Sequence, residues 1–180
     1  MIGYFKILNK ARCLYLSDNI QVSEAKSQII QMAKRCAMLY QSFSRVLVKE
    51  LGEAEGTVLI DKAIADYGTQ CGLKCKSYLD DLGLANSIEN FPKAPDLPKI
   101  AWCMEGVLSE DNELHVEISY CPLAEYWMSQ EFSELGRRYC FVDQSKITAY
   151  NPDLECVHLM NMLDGQNKCH LLIRRKDSIK

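Results

Sequence analysis

The sequence predicts an α+β fold in which long N-terminal helices pack on a C-terminal four-stranded antiparallel sheet with the order ββααββ. Two observations support this. Apolar residues recur at helical spacing in the first half of the chain, and short alternating segments joined by turns follow in the second half. The 180 residues suit one compact domain. We divide it into a helical half over 1–85, a proline-containing connector over 86–99 and a ββααββ half over 100–175.

The helical half is predicted to contain three helices, the first of which covers about 4–16. The second begins near Ser23, a candidate N-cap, and ends at Gly52. Its expected buried face follows alternating three- and four-residue steps through Ala25, Ile29, Met32, Cys36, Tyr40, Phe43, Leu47 and Leu51. The third ends at Gly83, and its expected buried stripe is Ile60, Ile64, Tyr67, Cys71, Cys75, Tyr78 and Leu82.

The C-terminal half is predicted to contain two hairpins with two helices between them. Apolar and polar residues alternate over 114–120, which is typical of a strand with one buried face. Pro122 suits the first turn of a helix, and Gly136 is expected to end that helix. The predicted strands are 100–104, 114–120, 154–162 and 169–173, and the predicted helices are 122–134 and 137–149.

Charge and hydropathy argue against nucleic acid and membranes as partners. The formal charge of −3 and the pI near 5.7 argue against nucleic-acid binding, which requires a clustered cationic surface. No stretch approaches the roughly 20 apolar residues that span a bilayer, and no signal-peptide core is visible, so we expect a cytoplasmic protein. In a reducing compartment, the nine cysteines must be core residues, metal ligands or nucleophiles.

Cys121 differs from the other cysteines in its position directly before Pro122, at the expected N-cap of a helix. Unpaired N–H groups and the positive end of the helix dipole favour a thiolate there. This position suits a nucleophile or a metal ligand. A buried cysteine that closes a strand is an equally good interpretation.

Four residues form a candidate zinc site by their chemistry: Cys121, Cys140, His158 and Cys169 supply soft nitrogen and sulfur ligands. None of them has the short paired spacing of a zinc motif. Cys140 is also expected to share one side of a helix with Asp143. The cysteines expected to pack as small apolar residues are Cys13, Cys36, Cys71, Cys75 and Cys103.

The C-terminal segments together resemble the L-2-amino-thiazoline-4-carboxylic acid hydrolase family. The segments are Cys121-Pro-Leu-Ala-Glu-Tyr-Trp, Tyr139-Cys-Phe-Val-Asp143, Tyr150-Asn-Pro-Asp-Leu and Leu163-Asp-Gly-Gln-Asn-Lys-Cys-His170, with Tyr67-Gly68-x-x-x-Gly72 upstream. More distantly, the closing Gly-x-x-x-Cys hairpin is similar to 4-vinyl-reductase-type small-molecule-binding domains, some of which bind zinc through cysteines.

The resemblance implies hydrolytic opening of a cyclic amidine that carries a carboxylate. Attack at the amidine carbon needs a nucleophile, a proton donor for the departing heteroatom and a clamp for the carboxylate. Cys121 is the candidate nucleophile or a ligand of a metal-bound water, and Asp143 the candidate base or orienting group. The candidate substrate-binding residues are Arg137, Arg138, Trp127 and Tyr139, with an arginine as the clamp.

Two other interpretations remain open from the sequence. One is a non-catalytic small-molecule-binding or sensor module in which the cysteines hold a structural zinc. The other is a structural partner that forms a homodimer through the apolar stripes of the helical half.

Overall fold

The computed structural model describes residues 20–176, and the predicted helix over 4–16 and Cys13 lie outside this range. The helices within it are α1 Val22–Leu51, α2 Glu53–Asp81, α3 Pro122–Ser129, α4 Ser133–Tyr139 and α5 Val142–Tyr150. The strands are β1 Cys103–Leu108, β2 Leu114–Tyr120, β3 Leu154–Met160 and β4 Cys169–Arg175. Short 3₁₀ turns cover Phe91–Lys93 and Met162–Asp164.

The four strands form one antiparallel sheet in the order β1-β2-β4-β3, which confirms the predicted fold class. β1 begins at Cys103, three residues later than expected, and pairs with β2 as a hairpin. Because side chains alternate along a strand, Val116, Ile118 and Leu171 share the face turned towards the helices. The opposite face carries polar residues such as Glu117, which pairs with Lys168.

Two clusters of buried residues hold the helices on the sheet. In the first, α1 contacts α3, and the Trp127 indole donates a hydrogen bond to the Ala37 carbonyl over 3.0 Å. In the second, α2 and α5 cover the sheet through Leu79, Ile147 and Tyr150, which are almost fully buried. The clusters meet over the centre of the sheet.

The buried face of α1 differs from the predicted one. The helix spans the expected residues, but Ala33, Ala37, Gln41 and Ser44 are buried, whereas Met32, Cys36 and Phe43 are exposed. Ala33 and Ala37 face inward, where α1 packs against Trp127 of α3 in the first cluster. The homodimer through the helical half remains a prediction from the sequence.

Glycines set the close packing of α2 against α5. A Cβ atom at Gly68 would lie 2.6 Å from the Val142 carbonyl oxygen, and one at Gly72 would collide with the Lys146 carbonyl. Only glycine allows two helix backbones to approach this closely. Tyr67, on the expected buried stripe, is 47% exposed, whereas Gly68 and Gly72 lie on the face that packs against α5.

The helices between the hairpins break at positions other than those predicted. Gly136 lies inside α4, where a Cβ atom would come 3.0 Å from the Trp127 ring, and the chain instead turns at Glu131, which has φ of 51°. A second break ends α4 at Cys140, its C-cap. Arg137 and Arg138 therefore lie in the last turn of a helix, where cations complement the dipole, and not in the first turn as expected.

Within residues 20–176, no helix is both long enough and apolar enough to cross a membrane.

Candidate functional site

A cavity of about 150 Å³ lies where the two buried clusters meet, between the inner face of the sheet and the helices. α2 contributes Tyr67 and Cys71 to its wall, and the end of α4 contributes Tyr139 and Cys140. α3, α5 and the connector before β1 complete it. Most of the lining is apolar, and its charged residues, Asp96, Asp143 and Lys146, contact one another.

The cavity reaches the surface between α2 and the connector. Tyr67 is 47% exposed and Leu97 is 36% exposed, whereas the lining residues of the sheet, such as Leu171 and Ile173, are buried. The neighbouring Asp96 side chain is also partly exposed. We therefore take these three residues as the mouth.

The polar part of the wall is a charged cluster centred on Lys146, whose side chain is only 8% exposed. Its Nζ atom lies 2.6 Å from Oδ2 of Asp96 and 2.9 Å from Oδ1 of Asp143. The other oxygen of Asp143, Oδ2, lies 3.3 Å from Nε2 of His158. One ammonium group therefore connects a carboxylate at the mouth with a carboxylate deeper in the cavity.

Asn161 determines which nitrogen of the His158 ring accepts a hydrogen bond. Its Oδ1 accepts a hydrogen bond from the Leu163 N–H, so its Nδ2 must face His158 Nδ1 at 3.2 Å. Because the amide nitrogen can only donate, Nδ1 accepts and the ring proton is assigned to Nε2, towards Asp143. Nε2 nevertheless lacks a well-aligned hydrogen bond, although the His158 side chain is 4% exposed.

The two central charges stabilise each other. Burial alone would raise the pKa of Asp143, but Lys146 and His158 hold it well below its usual range. Burial alone would lower the pKa of Lys146, but Asp143 and Asp96 hold it above its usual range. Both groups are therefore charged at neutral pH.

Five cysteines line the cavity: Cys71, Cys121, Cys140, Cys156 and Cys169. Burial raises the pKa of Cys140 to about 12, and it also raises the pKa of Cys156 and Cys169. The Cys169 thiol accepts a hydrogen bond from the Met162 N–H over 3.4 Å. Cys140, Cys156 and Cys169 are therefore thiols, not thiolates, at neutral pH.

Cys121 is the N-cap residue of α3, with Pro122 in the first turn, as the sequence predicts. Burial nevertheless raises the pKa of its thiol, and the nearby N–H groups of Ala124 and Leu123 only partly oppose this effect. The helix terminus therefore does not produce the resting thiolate expected from the sequence, because desolvation is the larger influence.

The two candidate clamps lie outside the cavity lining. Nε of Arg137 donates to Oδ2 of Asp164 over 2.9 Å, and Nη1 of Arg138 donates to Oδ2 of Asp61 over 2.7 Å. Each guanidinium thus has a carboxylate partner elsewhere. Among the described lining residues, Lys146 is the only lysine or arginine.

Trp127 and Tyr139, the other predicted substrate-binding residues, both line the cavity. Their ring centroids lie 5.3 Å apart, and burial raises the pKa of Tyr139 above its usual range. They supply an aromatic wall on which a flat ring can pack.

The four candidate zinc ligands, Cys121, Cys140, His158 and Cys169, all line the cavity. However, residues 20–176 contain no group of three or more His, Cys, Asp or Glu side chains arranged to hold a metal ion. The arrangement of these side chains therefore does not support a zinc site.

Sequence reasoning missed Lys146, Asp96 and Asn161. One signal was available for Lys146: it follows Asp143 by three residues, a spacing that brings two helical side chains together. Asp96 lies in an aperiodic proline-containing connector, and Asn161 follows an irregularity in β3, so neither carries a pattern.

The chain is similar to known proteins in its fold and in its family. A crystal structure of trafficking protein particle complex subunit 3 from Naegleria fowleri, covalently bound to palmitic acid, is similar to this chain with a TM-score of 0.50 and 17% identity. The similarity covers 80% of this chain and 95% of that chain, and at this identity it concerns the fold alone. No curated protein is significantly similar in sequence. A family model described as L-2-amino-thiazoline-4-carboxylic acid hydrolase matches residues 31–173, so the chain belongs to that family.

Proposed function

We propose that the protein is a hydrolase that opens a small carboxylate-bearing cyclic amidine, of the 2-amino-thiazoline-4-carboxylate kind, by attack at the amidine carbon. Family membership supports the hydrolase class. The observation that carries the proposal is the charged cluster of Lys146, Asp143, Asp96 and His158, which runs from the mouth of the cavity into its wall. A cavity of about 150 Å³ holds a ligand of one ring.

The chemistry requires only water as a co-reactant. Water adds to the amidine carbon, the bond from that carbon to ring sulfur or nitrogen breaks, and the departing heteroatom takes a proton. A protonated amidine is the better electrophile, and a fixed carboxylate beside it stabilises the cation. Asp143 suits this role because its lowered pKa keeps it ionised and because Lys146 holds one of its oxygens at 2.9 Å.

We propose water, and not the Cys121 thiol, as the attacking group. Direct attack by sulfur requires a thiolate, and the raised pKa of Cys121 disfavours one in the free protein. Asp143 can accept a hydrogen bond from the water and orient it, although its low pKa makes it a weak base. The proton lost by water then passes to the departing heteroatom.

The test is incubation of the full chain with 2-amino-thiazoline-4-carboxylate, followed by mass spectrometry of the small molecule. The expected product has gained one water. Asp143→Asn should lower the rate by about 100-fold or more. Glu117→Gln, on the opposite face of the sheet, is the matched control and should leave it unchanged. No hydrated product, or equal loss in both variants, would overturn the proposal.

A non-catalytic binding module is the second candidate, favoured by the mainly apolar wall that includes Trp102, Met104 and Val116. The trafficking-complex subunit of similar fold is described with covalently bound palmitic acid, so an apolar ligand has a precedent in this fold. Stable binding of a small apolar ring such as benzene, without turnover of the thiazoline, would favour this candidate.

A further inference from the structure

The charges of the cavity wall do not balance. The carboxylates of Asp96 and Asp143 share the single ammonium of Lys146, so these three side chains together carry a net charge of −1. The Asp96 side chain is 30% exposed, so the excess negative charge lies at the entrance, where it attracts the cationic group of a ligand.

The cluster also retains unused hydrogen-bonding capacity. Lys146 has three N–H donors. One donates to Asp96 Oδ2, and the ammonium forms an ion pair with Asp143 at 2.9 Å. Asp96 uses Oδ2 for this contact, and in the described part of the chain no hydrogen bond reaches its Oδ1. One donor and at least one acceptor therefore remain for a ligand.

His158 provides independent support for a ligand beside this cluster. Its side chain is 4% exposed and lines the cavity, yet Nε2 has no well-aligned hydrogen-bond partner in the described structure. Buried polar atoms of this kind are normally satisfied by protein, water or a ligand.

We infer that the cavity selects a ligand with two opposite charges, placing its cation against Asp96 and Asp143 and its carboxylate against the third donor of Lys146. This assignment rests on the proposed function and adds the residues that determine specificity. It also gives Lys146 the clamp role, in place of Arg137 or Arg138, which have carboxylate partners outside the cavity.

The position of Asp96 explains how such a ligand would enter. Asp96 lies at the mouth beside Leu97 and Tyr67, whereas Asp143 lies deeper on α5. A cation first meets the partly exposed carboxylate and then reaches the second one, with Lys146 between them. A ligand with only a negative charge meets a like charge at the mouth.

Calorimetric binding of three five-membered rings to the full chain tests the inference. The probes are 2-amino-imidazoline-4-carboxylate with both charges, 2-amino-imidazoline with the cation alone, and pyrrole-2-carboxylate with the anion alone. Affinity should fall in that order, by about tenfold or more at each step. Equal affinity for the cation and the anion would overturn the inference.

Asp96→Asn is the decisive variant because it removes a partly exposed charge at the mouth and leaves the deeper pair intact. It should weaken 2-amino-imidazoline about tenfold without weakening pyrrole-2-carboxylate. Glu117→Gln should change neither. If the affinity order holds but the protein does not hydrolyse the thiazoline, only the proposed function fails. If hydrolysis occurs but Asp96→Asn changes none of the affinities, only this inference fails.

Discussion

Gly72 of α2 faces the backbone carbonyl of Lys146 so closely that a β-carbon at this position would collide with it. The same turn of α5 carries the Lys146 side chain to Asp96 and Asp143. A contact between two helix backbones thus sets the position of the only lysine on the cavity wall within the described residues. Packing and site geometry are linked through this pair.

Gly72→Ala should therefore destabilise the protein and reduce ligand binding together. The extra methyl group has no space, so we expect a loss of about 2 kcal/mol or more in the free energy of unfolding. Urea denaturation measures this loss. Gly106→Ala is the control, because a Cβ atom there would meet only an ordinary 3.6 Å contact with Leu114. Equal effects of the two substitutions would contradict the close approach of α2 and α5.

Asp143→Asn should reduce stability in a pH-dependent manner. The folded-state pKa of Asp143 lies below its unfolded value of about 3.9, so its contribution is present above that pH and is lost as pH falls towards the folded-state value. At pH 7, breaking this buried pair should cost about 3 kcal/mol. Urea unfolding of both proteins between pH 7 and pH 3 provides the measurement, with a difference that narrows below about pH 4. A difference independent of pH would show that Asp143 is not held as an anion.

Much of the fold could be predicted because local patterns determine it. The alternation over 114–120 gave β2 with correct bounds, and Gly52 ended α1 as expected. The break at Cys140 was not predicted from the sequence. The prediction that Gly136 breaks a helix was wrong, because this glycine makes room for the Trp127 ring. Such a contact between separate helices leaves no periodic signal.

The site was predicted only in part, for a related reason. Cys121 and Asp143 do line one cavity, but their electrostatic states depend on burial and on partners distant in sequence. The Asp96–Lys146 contact joins residues 50 positions apart. Arg137 and Arg138 had suitable chemistry for a clamp, yet no local pattern reveals that their carboxylate partners lie outside the cavity.

Cys121→Ala should retain turnover within about tenfold of the wild type if water attacks the amidine carbon, whereas removal of a true nucleophile typically abolishes it. Steady-state kinetics with 2-amino-thiazoline-4-carboxylate provide the comparison. Intact-protein mass spectrometry of the wild type during turnover adds an independent readout, since attack by sulfur leaves a covalent adduct on Cys121. Complete loss of activity together with such an adduct would return Cys121 to the nucleophilic role.

Thiol alkylation should separate the exposed cysteines from those of the cavity. Cys36 and Cys103 are exposed and should react first with iodoacetamide at neutral pH. Cys140, with its pKa near 12, and the buried Cys156 should react only after unfolding, because burial suppresses both access and the thiolate form. Peptide mass spectrometry follows each site over time, and the same reaction in urea gives the unprotected rates. Labelling of Cys140 as fast as that of Cys36 would mean that the cavity opens widely to solvent, and the assigned electrostatics of its wall would no longer apply.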